Sequence, residues 1–207
     1  MSDAGFADIP TTTLADVLGK SAVVGIDIRP LWMPIGRLAG PAMTVRCPPG
    51  DNLMLHAAIH RADSGSVIVV DAGGDEEWAV AGGNVCAVAQ RRGVAGFVID
   101  GVIRDIAEVR ERRFPVFARG TVPIPGDKQV VTPLNGEVEC CGVLVGAGDI
   151  VVADEEGIVV VPAGRAAGVL ADARARLAKE AATSLDEWES AHRARIDEIL
   201  HAQGYSD

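Results

Sequence analysis

Continuously apolar runs alternate along the chain with segments whose apolar positions recur at helical spacing. Residues 67–70 and 96–99 form two such runs, rich in Val and Ile. Runs of this kind predict strands that are buried on both faces of a sheet. Acidic and glycine residues follow each run, so we expect the strands to end near Val70 and Asp100. The acidic GDEEW segment after the first strand is then predicted to be a loop.

Helical spacing marks four segments in the first half of the chain. The first covers residues 11–18, with threonines at its start and Gly19 at its end. The second begins at Asp51 and continues to about Arg61. The other two follow the predicted strands and cover residues 83–92 and 103–113. Together they predict a strand, helix, strand, helix unit, as in an α/β fold.

The second half of the chain is rich in short β runs until residue 162, and then becomes helical. Glycine and acidic turns separate the runs, which predicts hairpins or a small barrel-like sheet. Ser184 and Glu187 have the spacing of a capping box, so a last helix is expected to begin there after a break near Thr183. We expect an α/β domain over residues 1–162 and a C-terminal helical extension over residues 163–207.

The last helix carries an apolar stripe that is typical of a packing surface. We expect it to pack on the body of the protein or on a neighbouring subunit. The stripe consists of Leu185, Trp188, Ile196, Ile199 and Leu200.

Composition excludes several classes of protein. The formal net charge is -10, which repels nucleic acids. No apolar stretch reaches the roughly 18 residues needed to cross a bilayer, and the acidic first ten residues lack the features of a secretory signal. We therefore expect a cytoplasmic protein with no nucleic-acid or membrane partner. The four cysteines lack zinc-site spacing and are expected to be free, mostly buried thiols.

Glycines open the helix that follows the first buried strand. The N-terminus of a helix exposes unpaired N–H groups, and glycine lets a ligand approach the backbone closely, so a small carboxylate could bind there. The spacing matches neither the dinucleotide-binding nor the P-loop motif. Glycines that only relieve a tight turn are the alternative interpretation. The candidate residues are Gly82, Gly83, Asn84 and Val85.

Charged residues lie where the second buried strand gives way to its helix. Asp105 and Glu108 are three residues apart, so they are expected to share a helix face and could hold a hard divalent cation directly or through water. Arg104 is placed to stabilise an oxygen that becomes negatively charged. The alternative is ordinary surface pairing, with Arg104 and Glu108 forming an ion pair across one turn.

Two further candidates carry less weight. His56 and His60 have a spacing that can hold zinc, but no third ligand is evident. A Schiff-base mechanism would need a buried lysine. The only lysines are Lys20, Lys128 and Lys179, and none lies in the region of the two motifs.

Residues 51–125 resemble the RraA-like family, which includes the 4-hydroxy-4-methyl-2-oxoglutarate aldolases. The similarity is strongest in VVDAGG, GGNVCAVAQRRGVAGFVIDGVIRD and FPVFARG, and it continues more loosely through GDIVVADEEGIVVVP. The family pattern is a glycine, twenty residues, Arg-Asp, two residues and an acid. Gly83, Arg104, Asp105 and Glu108 match it.

The resemblance implies a layered α/β/β sandwich like the phosphohistidine swivelling domain, assembled as a homotrimer or hexamer. It also implies that the backbone amides of residues 82–85 bind the carboxylate of a small 2-oxo acid substrate and that Arg104 contacts its oxygens. Asp105 would ligate Mg²⁺ or Mn²⁺, with Glu108 acting through water. Many relatives have a glutamate where this chain has Asn84. The long helical tail also departs from what the resemblance leads us to expect.

The activity that the resemblance implies is a metal-dependent cleavage of 4-hydroxy-2-oxo acids to pyruvate. Decarboxylation of oxaloacetate passes through the same enolate and is expected as a second reaction. The alternative is a non-catalytic regulator, because members of the family are also known as inhibitors of a ribonuclease. The matched Arg104, Asp105 and Glu108 favour the enzyme.

Overall fold

A mixed β-sheet of seven strands forms the centre of the fold. The structure, a computed structural model, describes residues 5–205. The strands are β1 (Arg29–Pro30), β2 (Leu38–Arg46), β3 (Val67–Ala81), β4 (Gly96–Ile103), β5 (Val116–Thr121), β6 (Val138–Cys140), β7 (Val143–Val145), β8 (Ile150–Asp154) and β9 (Gly157–Val161). Their order in the large sheet is β1-β5-β4-β3-β2-β8-β9, and β6 and β7 form a separate hairpin. Strands β2 to β5 run parallel to one another, as expected of strands joined by helices.

Both predicted buried strands are present, but each is longer than predicted. The GDEEW segment belongs to β3, which stays paired with β4 through three shifts of register. Asp75 lies opposite Gly101 and Ala79 opposite Val102, so the extra residues between them bulge out of the ladder. The prediction of a plain loop here was therefore wrong.

Asp100 does not end β4, which continues to Ile103. A buried carboxylate is tolerated inside a strand when its oxygens are satisfied. Asp100 pairs with the guanidinium of Arg119 and accepts a hydrogen bond of 2.7 Å from the backbone N–H of Cys141. These partners lie far away in sequence, so the alternation of apolar and polar residues could not reveal them.

Six α-helices accompany the strands among the described residues. They are α1 (Thr11–Leu18), α2 (Leu53–Ala58), α3 (Gly83–Arg91), α4 (Ile106–Glu111), α5 (Ala166–Ala181) and α6 (Leu185–Ala202). The predicted bounds of α1 and α3 are close to those observed. Helix α2 is shorter than predicted. Helix α4 begins only at Ile106, so Arg104 and Asp105 precede it instead of lying in its first turn.

The elements form three layers. Helices α2, α3 and α4 cover one face of the parallel strands through one apolar cluster. The β6–β7 hairpin packs on the opposite face through a second cluster, and α1 and α5 cover β8 and β9 through a third. A mixed α/β fold with C-terminal helices is thus confirmed. The likeness to the phosphohistidine swivelling domain stays a prediction.

The two C-terminal helices differ in how they pack. Helix α5 buries Ala166, Val169 and Ala173, in its first half, in the cluster that it shares with α1. Helix α6 begins with the predicted Ser184–Glu187 capping box but contains no buried residue. Its apolar stripe is exposed, with Leu185 at 76% and Trp188 at 54%. The stripe therefore does not pack on the body, and its packing on a neighbouring subunit stays a prediction, as does the domain boundary at residue 162.

No helix among residues 5–205 is both long enough and apolar enough to cross a membrane.

Candidate functional site

A cavity of about 200 Å³ lies where β3 leads into α3 and β4 leads into α4. This is the carboxyl end of the parallel strands, the usual position of a ligand site in an α/β sheet. Larger surface concavities exist elsewhere, but this one is lined by residues from both sequence motifs. Its lining consists of Asn52, His56, Ala79, Val80, Ala81, Gly82, Asn84, Val85, Arg104, Asp105, Pro125 and Lys128.

Asp105 connects the two helices at the cavity wall. It is the residue immediately before α4, and its backbone is left-handed, with φ at 60°. Its Oδ2 accepts a hydrogen bond of 3.0 Å from the backbone N–H of Gly83, the first residue of α3. The Nε of Arg104 lies 3.6 Å from the same oxygen. Arg104 thus pairs with Asp105, and the predicted alternative ion pair between Arg104 and Glu108 is absent from the described contacts.

Side chains from the second motif lie close to the two glycines at the start of α3, so a larger residue there would displace them. A Cβ atom on Gly82 would lie 2.6 Å from Asp105 Oδ2 and 3.1 Å from the Arg104 side chain. A Cβ atom on Gly83 would overlap the Glu108 carboxylate. Neither glycine has a left-handed φ. Close approach therefore explains these glycines, and relief of a tight turn does not.

One of the backbone amides predicted to bind a carboxylate already donates a hydrogen bond within the protein. The Gly83 N–H is bonded to Asp105. For the N–H groups of Asn84 and Val85, in the same first turn, residues 5–205 offer no hydrogen-bond acceptor. Unpaired amides at the start of a helix attract anions. Asn84 and Val85 are therefore the amides of α3 that remain available to a carboxylate.

Glu108 lies beside the cavity in the first turn of α4, and it is exposed. Its carboxylate is against Gly83, and it does not contribute to the lining. The structure therefore brings all the motif residues together, with Arg104 and Asp105 at the cavity and Glu108 next to them.

The structure adds three polar residues that the sequence motifs did not include. Asn52 and His56 come from the start of α2 and Lys128 from the loop after β5. Burial lowers the pKa of His56 to about 4, and the nearby positive charges of Lys128, His60 and Arg104 act in the same direction. His56 is therefore neutral at pH 7. No short-range pattern links these residues to the motifs, because the contacts are made through the tertiary fold.

Asp51 joins the start of α2 to the loop that carries Lys128. Its carboxylate accepts hydrogen bonds from the backbone N–H groups of Leu53 at 2.9 Å, Gln129 at 2.6 Å and Val130 at 3.1 Å. Burial opposes ionisation of Asp51, but these three donors outweigh it and keep its pKa below the ordinary value. The loop that carries Lys128 is thereby fixed to the start of α2.

Asp105 is the residue at the cavity that could hold a divalent cation together with water. Within residues 5–205, no group of three or more His, Cys, Asp or Glu side chains forms a ready-made metal centre. Mg²⁺, however, is commonly held by one or two carboxylates, with water and substrate oxygens completing its shell. The Asp105 side chain is 40% exposed, and its Oδ1 has no donor among the described residues. That oxygen fits a cation, whereas His56 and His60 form no zinc centre.

The cysteines take no part in this site. Cys47, Cys86 and Cys140 are buried and Cys141 is half-buried, all of them free thiols. Burial raises the pKa of the Cys47 thiol to about 11 and that of Cys86 to about 12. The predicted free, mostly buried thiols are confirmed.

Comparison with known proteins places the chain in a family. The sequence profile described as "RraA-like: Aldolase/RraA" matches residues 11–160. A protein of Halalkalibacterium halodurans with the provisional name 4-hydroxy-4-methyl-2-oxoglutarate aldolase is 37% identical over 198 residues, which cover 95% of this chain and 94% of that protein.

Solved structures agree with the sequence comparison. A crystal structure of an uncharacterized protein from Pseudomonas syringae pv. tomato superposes with a TM-score of 0.79 at 29% identity, covering 90% of this chain and 92% of the other. The RNA-processing inhibitor RraA from Thermus thermophilis superposes with a TM-score of 0.69 at 28% identity, covering 75% and 93%. On the combined evidence of sequence and fold, the chain belongs to the RraA-like family.

Proposed function

We propose that this protein is a divalent-metal-dependent aldolase that cleaves 4-hydroxy-2-oxo acids of the 4-hydroxy-4-methyl-2-oxoglutarate type to pyruvate. The observation that carries the proposal is the position of Arg104 and Asp105 on one cavity wall, beside the unpaired amides of α3. The name of the Halalkalibacterium halodurans relative supports it. Decarboxylation of oxaloacetate is proposed as a second reaction of the same site.

The cavity contains complementary groups for each part of a small 2-oxo acid. The N–H groups of Asn84 and Val85 donate to the carboxylate at the positive end of α3. The guanidinium of Arg104 presents fixed donors to the oxygen that gains negative charge. Lys128 adds a positive charge at the rim, where it attracts an anionic substrate.

Asp105 would hold Mg²⁺ or Mn²⁺ directly, and Glu108 would act through water. The ion, when bound, supplies a Lewis acid that withdraws electrons from the 2-oxo group. Arg104 contributes a permanent positive charge to the same end of the substrate. Since Asp105 is bonded to the first turn of α3, these groups keep one fixed arrangement.

The reaction breaks the C3–C4 bond. A base removes the proton of the C4 hydroxyl, C4 becomes the carbonyl carbon of the leaving product, and the electron pair of the broken bond moves to C3. The resulting pyruvate enolate, stabilised beside Arg104, takes up a proton at C3. Oxaloacetate would give the same enolate, with CO₂ as the other product.

A Schiff-base mechanism is the chemical alternative, because the structure places Lys128 in the cavity although the sequence placed no lysine near the motifs. Schiff-base lysines are activated by desolvation in apolar pockets or by a cationic neighbour. Lys128 is exposed. We therefore assign it to substrate attraction. Trapping with borohydride in the presence of pyruvate is expected to give no covalent adduct.

The proposal is tested by measuring pyruvate release from 4-hydroxy-4-methyl-2-oxoglutarate and from oxaloacetate, with and without Mg²⁺ or Mn²⁺. Arg104→Lys is expected to lower kcat/KM about 10- to 100-fold, because the planar fork of donors is lost. Arg91→Lys, on the exposed side of α3, is the matched control and should leave kcat/KM unchanged. Absence of turnover on every 2-oxo acid would refute the proposal.

A second candidate function is inhibition of a ribonuclease, without catalysis. The observation that favours it is the likeness to the RNA-processing inhibitor RraA. The net charge of -10 suits docking on a basic segment of a protein. Co-purification with a ribonuclease, together with no turnover of 2-oxo acids, would favour this candidate over the aldolase.

We further propose that the chain assembles as a homotrimer or hexamer. The exposed apolar stripe of α6 supports association, because apolar residues regularly spaced on a helix are usually covered.

A further inference from the structure

A cavity of about 520 Å³ lies between the loop that joins β1 to β2 and the C-terminal end of α4. It shares no lining residue with the candidate functional site. Its lining includes the apolar side chains of Trp32 and Met33 and three cations, and no acidic residue. The cations are Arg37, Arg110 and Arg113. We call this feature the arginine cavity, and its positive charge is an exception in a chain with a net charge of -10.

Two of these arginines lack a partner of opposite charge among the described residues. Arg37 pairs with Asp154, with 3.4 Å between Nε and Oδ2. Arg110 and Arg113 take part in no ion pair and no side-chain hydrogen bond within residues 5–205. Glu111, which lies between them in sequence, forms no ion pair with either. Positive charges three residues apart repel each other. An anionic group at the arginine cavity would therefore be stabilised by both.

The same cavity has a fixed apolar wall. Trp32 is half-buried, and its Nε1 donates a hydrogen bond of 3.1 Å to the backbone carbonyl of Phe114. This bond fixes the indole ring beside Met33, which is 55% exposed. Tryptophan and arginine are the side chains that most often dominate binding at protein interfaces. The arginine cavity therefore combines the features of a docking site for a partner that is both apolar and acidic.

Helix α6 presents the complementary combination in its first two turns. Leu185 and Trp188 are exposed apolar residues at the start of its stripe. Asp186 and Glu189 lie beside them and form no ion pair within residues 5–205. At 3.6 residues per turn, Glu189 lies only about 40° around the helix from Leu185, so its carboxylate borders the stripe. These turns of α6 are thus apolar and acidic on one side.

Charge restricts how copies of this chain can meet. Two molecules that each carry a net charge of -10 repel one another, so an interface between them has to place positive groups opposite negative ones. The arginine cavity and the start of α6 provide such a pair of surfaces. Helix α6 buries no residue in its own chain, which leaves its stripe available to a second copy.

We propose that the first two turns of α6 dock in the arginine cavity of a second copy of the chain, with Trp188 against the apolar wall and Asp186 and Glu189 facing the unpaired arginines. This inference rests on the proposed homo-oligomer and names the surfaces that form it. The contact joins two different surfaces of the chain, so its repetition closes a ring when the rotation between copies allows it, as in a homotrimer.

The test exchanges the charges of the two surfaces. One variant combines Arg110→Glu with Arg113→Glu, a second combines Asp186→Arg with Glu189→Arg, and a third contains all four changes. The matched control, Arg61→Glu with Arg165→Glu, reverses two exposed arginines that do not line the arginine cavity. Sedimentation velocity gives the dissociation constant of each assembly, and circular dichroism verifies that each variant is folded. Arg110→Gln with Arg113→Gln is the milder variant if reversal of the charges disturbs folding.

We expect each of the first two variants to raise the dissociation constant at least about 10-fold, because two attractions between close charges become repulsions. The third variant should return to within about 3-fold of the wild type, and the control should match it. The neutral glutamine variant should also weaken the assembly, by less than the glutamate variant.

An assembly that none of these variants weakens, or a third variant that is as weak as the first two, would overturn the inference while leaving the proposed homo-oligomer intact. A monomeric wild type would overturn the inference and the proposed assembly together. Neither result bears on the proposed aldolase activity, which is measured separately by pyruvate release.

Discussion

Asp105 combines an unusual backbone with a central position. A left-handed residue other than glycine is uncommon, and aspartate and asparagine tolerate it best because their short polar side chains bond locally. Here the side chain bonds the N–H of Gly83, so one residue fixes the relation between α3 and α4. Asparagine at this position would preserve both the backbone conformation and the bond, while it removes the charge and replaces the second carboxylate oxygen by an NH₂ group.

His56 provides a direct probe of the electrostatics of the cavity. Its pKa is lowered to about 4, first by burial and then by Lys128 and other positive neighbours. Replacement of Lys128 by Gln removes one positive charge and is expected to raise the pKa of His56, yet to leave it below the ordinary value of about 6.5 because burial remains. Titration of the His56 ring resonances by NMR measures this shift.

Lys20→Gln is the matched control, since Lys20 is exposed and does not line the cavity, and it should leave the pKa of His56 unchanged. An unchanged pKa of His56 in Lys128→Gln would mean that the Lys128 charge does not reach the cavity, and its assigned role in attracting substrate would have to be abandoned.

At the scale of elements, the carboxylate of Asp51 strengthens a link between α2 and the loop after β5 that backbone hydrogen bonds also make. Asp51 is bonded to three backbone N–H groups in two segments. Asp51→Asn keeps the size of the side chain but loses its charge and one acceptor oxygen. We expect this variant to lower the free energy of unfolding at pH 7 by about 1.5–3 kcal/mol, the usual value of a hydrogen bond to a charged group.

The pH dependence of this effect has a definite sign. The pKa of Asp51 is lowered in the folded protein, so its contribution is fully present above the unfolded pKa of about 3.9 and is lost as pH falls through the folded pKa. Urea unfolding of both proteins at pH 7 and at pH 3 measures this contribution. The difference between them should shrink at the lower pH. A difference that stays constant or grows would contradict the assigned role.

Local sequence patterns predicted the ends of helices correctly where interactions between neighbouring residues determine them. Helix α1 ends at Gly19 and α6 begins at the Ser184 capping box, as predicted, because these signals act within a few residues. Strand β4 passes through Asp100 because Arg119 and Cys141 satisfy its carboxylate. Those partners are brought together by the fold, so a pattern read along the chain could not include them.

The candidate site likewise contains residues that could be predicted from the sequence and residues that could not. Arg104 and Asp105 could be predicted because spacing and family resemblance both mark them. Asn52, His56 and Lys128 reach the cavity through α2 and a loop whose placement depends on long-range backbone bonds. Their position at the cavity is visible only in the assembled structure.

At the scale of the whole molecule, α6 leaves its apolar stripe exposed in the single chain. It buries no residue, so a chain that ends at Thr183 should keep its melting temperature within about 2 °C if the protein is monomeric in the assay. We expect the shortened chain to form a smaller assembly than the full chain, because the apolar stripe is removed. Light scattering coupled to size-exclusion chromatography measures both assemblies.

The matched control keeps the helix and changes only its stripe. Trp188→Glu combined with Ile199→Glu leaves the capping box intact and should reproduce the effect of the truncation. If both variants assemble like the full chain, the stripe is not an association surface, and the proposed role of α6 fails.

The most direct test of the proposed aldolase is pyruvate release by Asp105→Asn beside the wild-type protein, with Mn²⁺ or Mg²⁺ and with excess EDTA. We predict pyruvate formation by the wild type only with metal, and a loss of at least about 100-fold in Asp105→Asn with the fold unchanged. Asp63→Asn, an exposed aspartate outside the cavity, should behave like the wild type. Full activity in excess EDTA, or in Asp105→Asn, would contradict the proposed mechanism.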